Sequence, residues 1–315
     1  MYTVNIQKLI KLATGVVQFQ NLLFFKDGLC YANGHGGRGY CKMPSQWRNI
    51  SCAVDSGSLK AYIDLIDGDH TVEVKGGALV ISKGKMTARL SIIDESFTPF
   101  KIEKPAVSSV VTSDLIRLIT TGAAITTDEK MDRTSHLWVV DGVLYATDKI
   151  AMMIADCPTV DMSVATNNVV YLQDGATVYM EKEDLTIATD DCKIVVRQAD
   201  FIAPKFKDVI DAFKHDSEFE LSSEEIKQML LGFKNTFTPV ELGDGQFSAN
   251  CPDIGEHFSI DLPQISVPKF KVSTPVFKKA LSVFSRTGCT IKHSKVSFML
   301  SNETVSVFIM KLISI

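Results

Sequence analysis

Apolar positions return in one register about every hundred residues. Ile6, Leu9, Ile10 and Ala13 share a helical face, with Lys8 and Lys11 on the other side. Leu115, Leu118 and Ile119 repeat the face beside Arg117, and Ile226, Met229, Leu230 and Phe233 repeat it beside Lys227 and Lys234. The leading residues of the three segments lie 109 and 111 positions apart. Spacing at i, i+3 and i+4 predicts an amphipathic helix at the head of each of three units. A chain of three similar units points to a scaffold more than to a catalyst.

Between the helices the period falls to that of strands. Asp27-Gly28, Asp141-Gly142 and Gly243-Asp244-Gly245 each separate two apolar runs, a strong hairpin signal. Helices are expected over 5–14, 56–66, 112–121 and 274–286, the last with Pro275 in its first turn, and one is expected to begin at Ser222 with acids in its first turn. A weaker helix, with Gly175 inside it, is expected over 174–180. A closing motif recurs, with Phe97 and Phe201 104 residues apart and Pro99 and Pro204 105 apart. The expected fold is α+β, with helices segregated to one side of antiparallel sheet. The expected domains are 1–104, 105–214 and 215–315.

Composition changes this picture little. A chain of 315 residues, 45% hydrophobic and 22% charged, is ordinary for a globular protein. No apolar run approaches the ~20 residues needed to cross a bilayer, and Met1-Tyr2-Thr3-Val4-Asn5 has no signal-peptide character. Seven cysteines without a Cys-x-x-Cys pair indicate neither a disulfide framework nor a zinc site, so a reduced, cytoplasmic setting is expected.

The net charge of −4 argues mildly against a nucleic-acid partner, yet its distribution argues the other way. The first and last helices hold Lys8, Lys11, Lys278, Lys279 and Arg286 and no acid, which leaves −9 for the remainder. Each cation can be a solvated helix face or a phosphate contact.

Three segments then carry a resemblance. Ala146-Thr147-Asp148-Lys149-Ile150-Ala151-Met152 resembles the "ATDGHRL" strand of the bacterial sliding-clamp family, the beta subunit of the replicative polymerase. Pro204-Lys-Phe-Lys-Asp-Val209 is similar to its "PDYRRV" segment, and Val307-Phe308-Ile309-Met310-Lys311-Leu312 to its "VMPMRL" ending. All three fall in the expected order. The departures are Lys149-Ile150-Ala151 for Gly-His-Arg, Phe308-Ile309 for Met-Pro, and Ile313-Ser314-Ile315 after Leu312. With a chain shorter than typical members, they suggest a phage or otherwise divergent clamp, and they bear on which peptide fits.

The resemblance implies three tandem clamp domains per chain, two chains paired head to tail into a ring, and helices lining a hole for duplex DNA. It implies a non-enzymatic polymerase processivity factor with no cofactor and no metal. Its partners would be double-stranded DNA, the DNA polymerase, the clamp loader and a second copy of the chain. Grip on DNA must be independent of base sequence, which suits lysine contacts to phosphates. The DNA-facing candidates are Lys8, Lys11, Lys60, Arg117, Lys227, Lys234, Lys278, Lys279 and Arg286. A peptide groove would be walled by Thr147, Lys149, Ile150, Ala151, Met152, Pro204, Asp208, Val209, Val307, Phe308, Ile309, Met310 and Leu312, of which Met152, Met310 and Leu312 can instead be ordinary core at a domain joint. A Met-rich groove repacks around several ligands.

Gly34-His-Gly-Gly-Arg-Gly39 matches a dinucleotide fingerprint in letters only, since Tyr40-Cys-Lys-Met-Pro44 cannot open a helix; it reads as a flexible hairpin loop. The six histidines show no metal-ligand spacing, and no Ser, Cys or Thr has a base at recognisable spacing. The rival readings are an enzyme of repeated α+β domains with an unidentified site, and a viral structural protein.

Overall fold

The computed structural model describes residues 2–13, 21–34, 37–103, 107–126, 133–198, 203, 205–233, 239–251 and 256–312. A short motif of strand, helix and three-stranded meander recurs along it. α1 (Tyr2–Ala13) leads into β1 (Leu22–Lys26), β2 (Leu29–Gly34) and β3 (Gly37–Lys42). β4 (Cys52–Asp55) and α2 (Ser56–Lys60) lead into β5 (Thr71–Lys75), β6 (Ala78–Lys83) and β7 (Met86–Ser91). β8 (Ser109–Val110) and α3 (Ser113–Ile125) precede β9 (His136–Val140), β10 (Val143–Thr147) and β11 (Ala151–Asp156). β12 (Met162–Ala165) and a 3-10 turn at Thr166–Tyr171 precede β13 (Thr177–Glu181), β14 (Asp184–Ala188) and β15 (Cys192–Arg197). After α4 (Phe206–Ala212), β16 (Ser217–Leu221) and α5 (Ser223–Gly232) precede β17 (Val240–Gly243), β18 (Gln246–Cys251) and β19 (Glu256–Asp261). Finally β20 (Phe270–Val272) and α6 (Thr274–Phe284) precede β21 (Cys289–His293), β22 (Ser297–Ser301) and β23 (Val305–Met310).

The chain forms two compact units, 1–113 with 170–199, and 114–169 with 200–315. The first holds an eight-stranded sheet in the order β4-β1-β2-β3-β15-β14-β13-β8 and the three-stranded sheet β5-β6-β7. The second holds an eight-stranded sheet, β12-β9-β10-β11-β23-β22-β21-β16, and the four-stranded sheet β19-β18-β17-β20. Every strand pair is antiparallel, as hairpin meanders dictate. In each eight-stranded sheet the joint falls between third strands of two meanders: β3 with β15, where Cys41 faces Cys192, and β11 with β23, where Met152 faces Phe308.

The three Asp-Gly hairpins form as expected. Asp27, Asp141 and Asp244 have φ of 53°, 51° and 49°, and the glycines after them 74°, 75° and 73°. Positive φ at both central residues is the twist that fits a two-residue hairpin, and Asp-Gly tolerates it best. α1 buries Ile6, Leu9, Ile10, Leu12 and Ala13 against β2 and β3, and α6 buries Val276, Phe277, Ala280, Leu281 and Phe284. α5 starts with a capping box in which Ser222 and Glu225 satisfy each other's backbone amides.

Two expectations are corrected. No helix forms over 174–180: Gly175 has φ of 76°, 177–181 is β13, and the helical turn comes earlier, at Thr166–Tyr171. In the run read as a hairpin loop, Gly34 ends β2 and Gly37 begins β3 as partners across a hairpin, while His35 and Gly36 lie outside the described residues; the glycines on the strands permit close packing. A Cβ at Gly34 would lie 2.3 Å from the Leu12 carbonyl oxygen of α1. The expected helix over 56–66 is divided into α2 and a 3-10 turn at Ile63–Leu65.

These two kinds of glycine predict different costs. Gly142→Ala meets no heavy atom within 4 Å, so it carries only the left-handed backbone penalty of about 1 kcal/mol. Gly34→Ala drives α1 from its sheet and lowers the urea midpoint further; equal midpoints for the two variants would refute the packing role.

An exposed apolar patch and the cationic helices

The turn joining β10 to β11 is tied from inside. The Thr147 hydroxyl donates to the Ala151 carbonyl at 2.7 Å, and the Lys149 amide donates to Thr147 Oγ1 at 3.1 Å. Asp148 Oδ1 accepts from the amides of Ile150 at 2.9 Å and Ala151 at 2.7 Å. Lys149 takes φ of 79°, so lysine occupies a left-handed position where the family pattern has glycine. These bonds hold the Ile150 side chain outward, 41% exposed. The Met310 amide then donates to the Ile150 carbonyl at 3.0 Å, joining the turn to the end of β23.

Along the joined strands, residues divide between core and surface. Ala151, Met152, Val307, Phe308 and Ile309 are buried, while Met310 is 49% and Leu312 37% exposed. On α4, Phe206 turns inward and Val209, 53% exposed, turns outward next to exposed Asp208. Met152, Phe206 and Phe308 belong to one buried cluster with Trp138. In it Phe206 stacks on Tyr145 at 4.4 Å, and Phe213 meets Phe308 edge-on at 5.2 Å. The groove candidates therefore separate into a buried bed and exposed residues; Pro204 lies outside the described residues.

The aromatic bed was missed in the sequence, although a signal was present. Phe24 and Tyr31 face each other across the first Asp-Gly hairpin, and Trp138 and Tyr145 do so across the second, 114 residues on in both cases.

The cationic candidates divide similarly. Lys60, Lys278, Lys279 and Arg286 are exposed, as is Lys11, whose ammonium lies 6.0 Å from the Tyr171 ring centroid. Arg117 pairs with Asp114 at 3.1 Å and Lys227 with Glu224 at 3.7 Å, both exposed pairs of small energetic weight. Lys8 is half-buried: its ammonium donates to Gln173 Oε1 at 2.9 Å, and burial lowers its pKa. Lys234 lies outside the described residues. α1 packs on α2 and α5 on α6, so the lysines of each pair lie on neighbouring helices.

Reactive groups are subdued. Burial pushes the thiols of Cys52 and Cys157 to about 11 and those of Cys192 and Cys289 to about 12, which disfavours the nucleophilic thiolate. The buried His70 accepts from Trp47 Nε1 at 2.8 Å and faces the Gly68 carbonyl at 2.9 Å, a structural role. Among the described residues no group of three or more His, Cys, Asp or Glu could hold a metal ion.

No family model and no curated protein matches the sequence. Solved structures do. The Helicobacter pylori beta clamp in complex with 3,4-difluorobenzamide superposes with a TM-score of 0.78 at 14% identity, covering 99% of this chain and 97% of that one. The DNA polymerase III beta subunit of Thermotoga maritima gives 0.78 at 15% identity over 99% and 98% of the two chains. The Helicobacter pylori beta clamp bound to a DNA ligase peptide gives 0.75 at 14% over 93% and 91%. The chain has the beta-clamp fold. Within this clamp fold the resemblance read from three short segments extends to almost the full chain, with the sequence itself widely diverged.

The division into bed and surface has a stability signature. Met310→Asp is expected to leave the urea midpoint nearly unchanged, within about 0.5 kcal/mol as for other surface sites. Met152→Asp puts a carboxylate in the aromatic bed and is expected to cost about 3 kcal/mol or more; similar losses at both sites would refute the division.

Proposed function

We propose that the chain is a DNA sliding clamp, a non-enzymatic processivity factor that encircles duplex DNA and docks peptides of the polymerase and clamp loader. The observation that carries this reading is a likeness to beta clamps spanning nearly the whole of both chains. In this reading the chain comprises three clamp domains, 1–104, 105–214 and 215–315, and two copies close head to tail.

Strand pairing supports the assembly. Within each unit, third strands of two meanders meet. β7 and β19 are also third strands, and among the described residues each has one strand neighbour, β6 and β18 respectively. Pairing β7 of one copy with β19 of the other follows the same rule and removes two open edges that invite aggregation.

The exposed cations of α1, α2 and α6 act as the DNA-facing set. Lysine ammoniums contact phosphates as point charges without reading bases, so grip is independent of sequence and lets the duplex slide. Topological linkage supplies the processivity that such screened contacts cannot. Arg117 and Lys227 exchange weak carboxylate partners for phosphate at little cost.

Docking falls to the exposed Ile150, Val209, Met310 and Leu312. Burial of a few apolar anchors on this patch gives micromolar affinity, roughly −8 kcal/mol.

Two measurements test the reading. After loading, the chain is expected to stay on closed circular DNA at moderate salt and to leave when the circle is cut. Lys278→Glu with Lys279→Glu is expected to weaken loading or sliding; equal retention on linear and circular DNA overturns the ring. Met310→Asp is expected to abolish docking of the cognate polymerase's tail peptide in a titration; unchanged affinity overturns the patch assignment.

A further inference from the structure

Beyond Leu312's place on the patch lies a cavity of about 650 Å³ in the second unit, and its chemistry differs from the patch. Lys269, Lys271, Lys295 and Lys311 line it, together with apolar surface from Phe270, Val296 and Leu312. Four lysines around one depression are notable in a chain of net charge −4. The opposing charges are Glu241, which pairs with Lys271 at 3.8 Å, and Asp216, close enough to act on Lys311. Lys269 and Lys295 are exposed and make no ion pair among the described residues.

The floor is tied by hydrogen bonds from Lys311. The Lys311 ammonium donates to His293 Nε2 and, at 2.5 Å, to the Ser294 carbonyl, and it stands 4.3 Å from the centre of the Phe270 ring. Burial and the neighbouring Lys311 charge lower the His293 pKa, in keeping with a neutral acceptor. Lys311 also holds the chain: its amide donates to the Val296 carbonyl, and the Leu312 amide donates to the Lys271 carbonyl. These two bonds seat Leu312 in the cavity wall, two residues after Met310 on the same strand end. Val296, on the opposite hairpin, is 51% exposed.

We propose that this cavity receives an acidic segment adjoining the apolar anchors of a docking peptide, so that the favoured partner tails carry carboxylates beside their hydrophobic residues. The inference rests on the docking reading above and adds the chemical class of the partner. Charge complementarity argues for carboxylates, and the mixed lysine and apolar lining argues for a peptide that brings both. A volume of this size admits a few side chains. A duplex is a broad convex rod that a pit of this size does not admit, whereas a peptide strand enters it residue by residue.

The test uses the full chain and two fluorescein-labelled synthetic peptides. Both carry the same Leu and Phe anchors; one continues with Asp-Glu-Asp and its twin with Asn-Gln-Asn. The acidic peptide is expected to bind about tenfold more tightly at low salt, with the preference compressed near 0.5 M salt. Lys269→Gln with Lys295→Gln is expected to erase the preference and leave the affinity of the neutral twin unchanged. Equal affinities, with the neutral twin still bound and still lost in Met310→Asp, overturn the cavity assignment and leave docking standing. Failure of both peptides to bind overturns both. A short duplex that displaces the acidic peptide and is itself weakened by the two substitutions reassigns the cavity to nucleic acid and overturns the peptide proposal.

Discussion

Backbone pairing at the outer strand of each meander is the constraint on which this structure depends. A three-stranded meander leaves a row of amides and carbonyls unpaired along its third strand, and such groups need partners once buried. In both units the third strand of one meander meets the third strand of another, β3 with β15 and β11 with β23. Small hairpin sheets become eight-stranded ones this way, and helices such as α1 gain a wide floor to cover. Glycines serve the same end: at 34 the absence of a Cβ lets α1 lie against the strand backbone.

The β11–β23 pairing also makes the candidate docking surface. It aligns Met152 with Phe308 over the aromatic bed of Trp138, Tyr145 and Phe206, and it brings Met310 to the Ile150 carbonyl. Residues 150 and 310 are far apart in the chain, yet one backbone bond makes them neighbours. The buried cluster is filled by packed rings, while Ile150, Val209, Met310 and Leu312 stay 37–53% exposed.

Charge follows a different logic from apolar burial. Lysines on α1, α2 and α6 stand on faces whose opposite sides are fully committed to the core, so their exposure follows from helix geometry alone. Lys8 departs from its neighbours because Gln173 reaches its ammonium, a meeting that local spacing cannot reveal. Lys311 is the extreme case: three groups from other segments surround it and make it part of a cavity floor.

Local regularities were legible from residues alone, since each is decided within a few positions. The Asp-Gly turns, the helix start at Ser222 with acids in its first turn, the helical faces led by Ile6 and Ile226 and the α+β plan all rest on steric and periodic rules that need no distant partner. The 174–180 segment departs from its weak helical pattern because Thr177–Glu181 pairs with β14 and the Gly175 amide donates to the Val111 carbonyl, distant partners that outweigh local propensity. Which of Met152, Phe308, Met310 and Leu312 are core and which are surface was likewise beyond the sequence, since all four are apolar. The tertiary structure decided it, because burial depends on what lies across the sheet, and that is set by strand pairing between residues more than 150 positions apart.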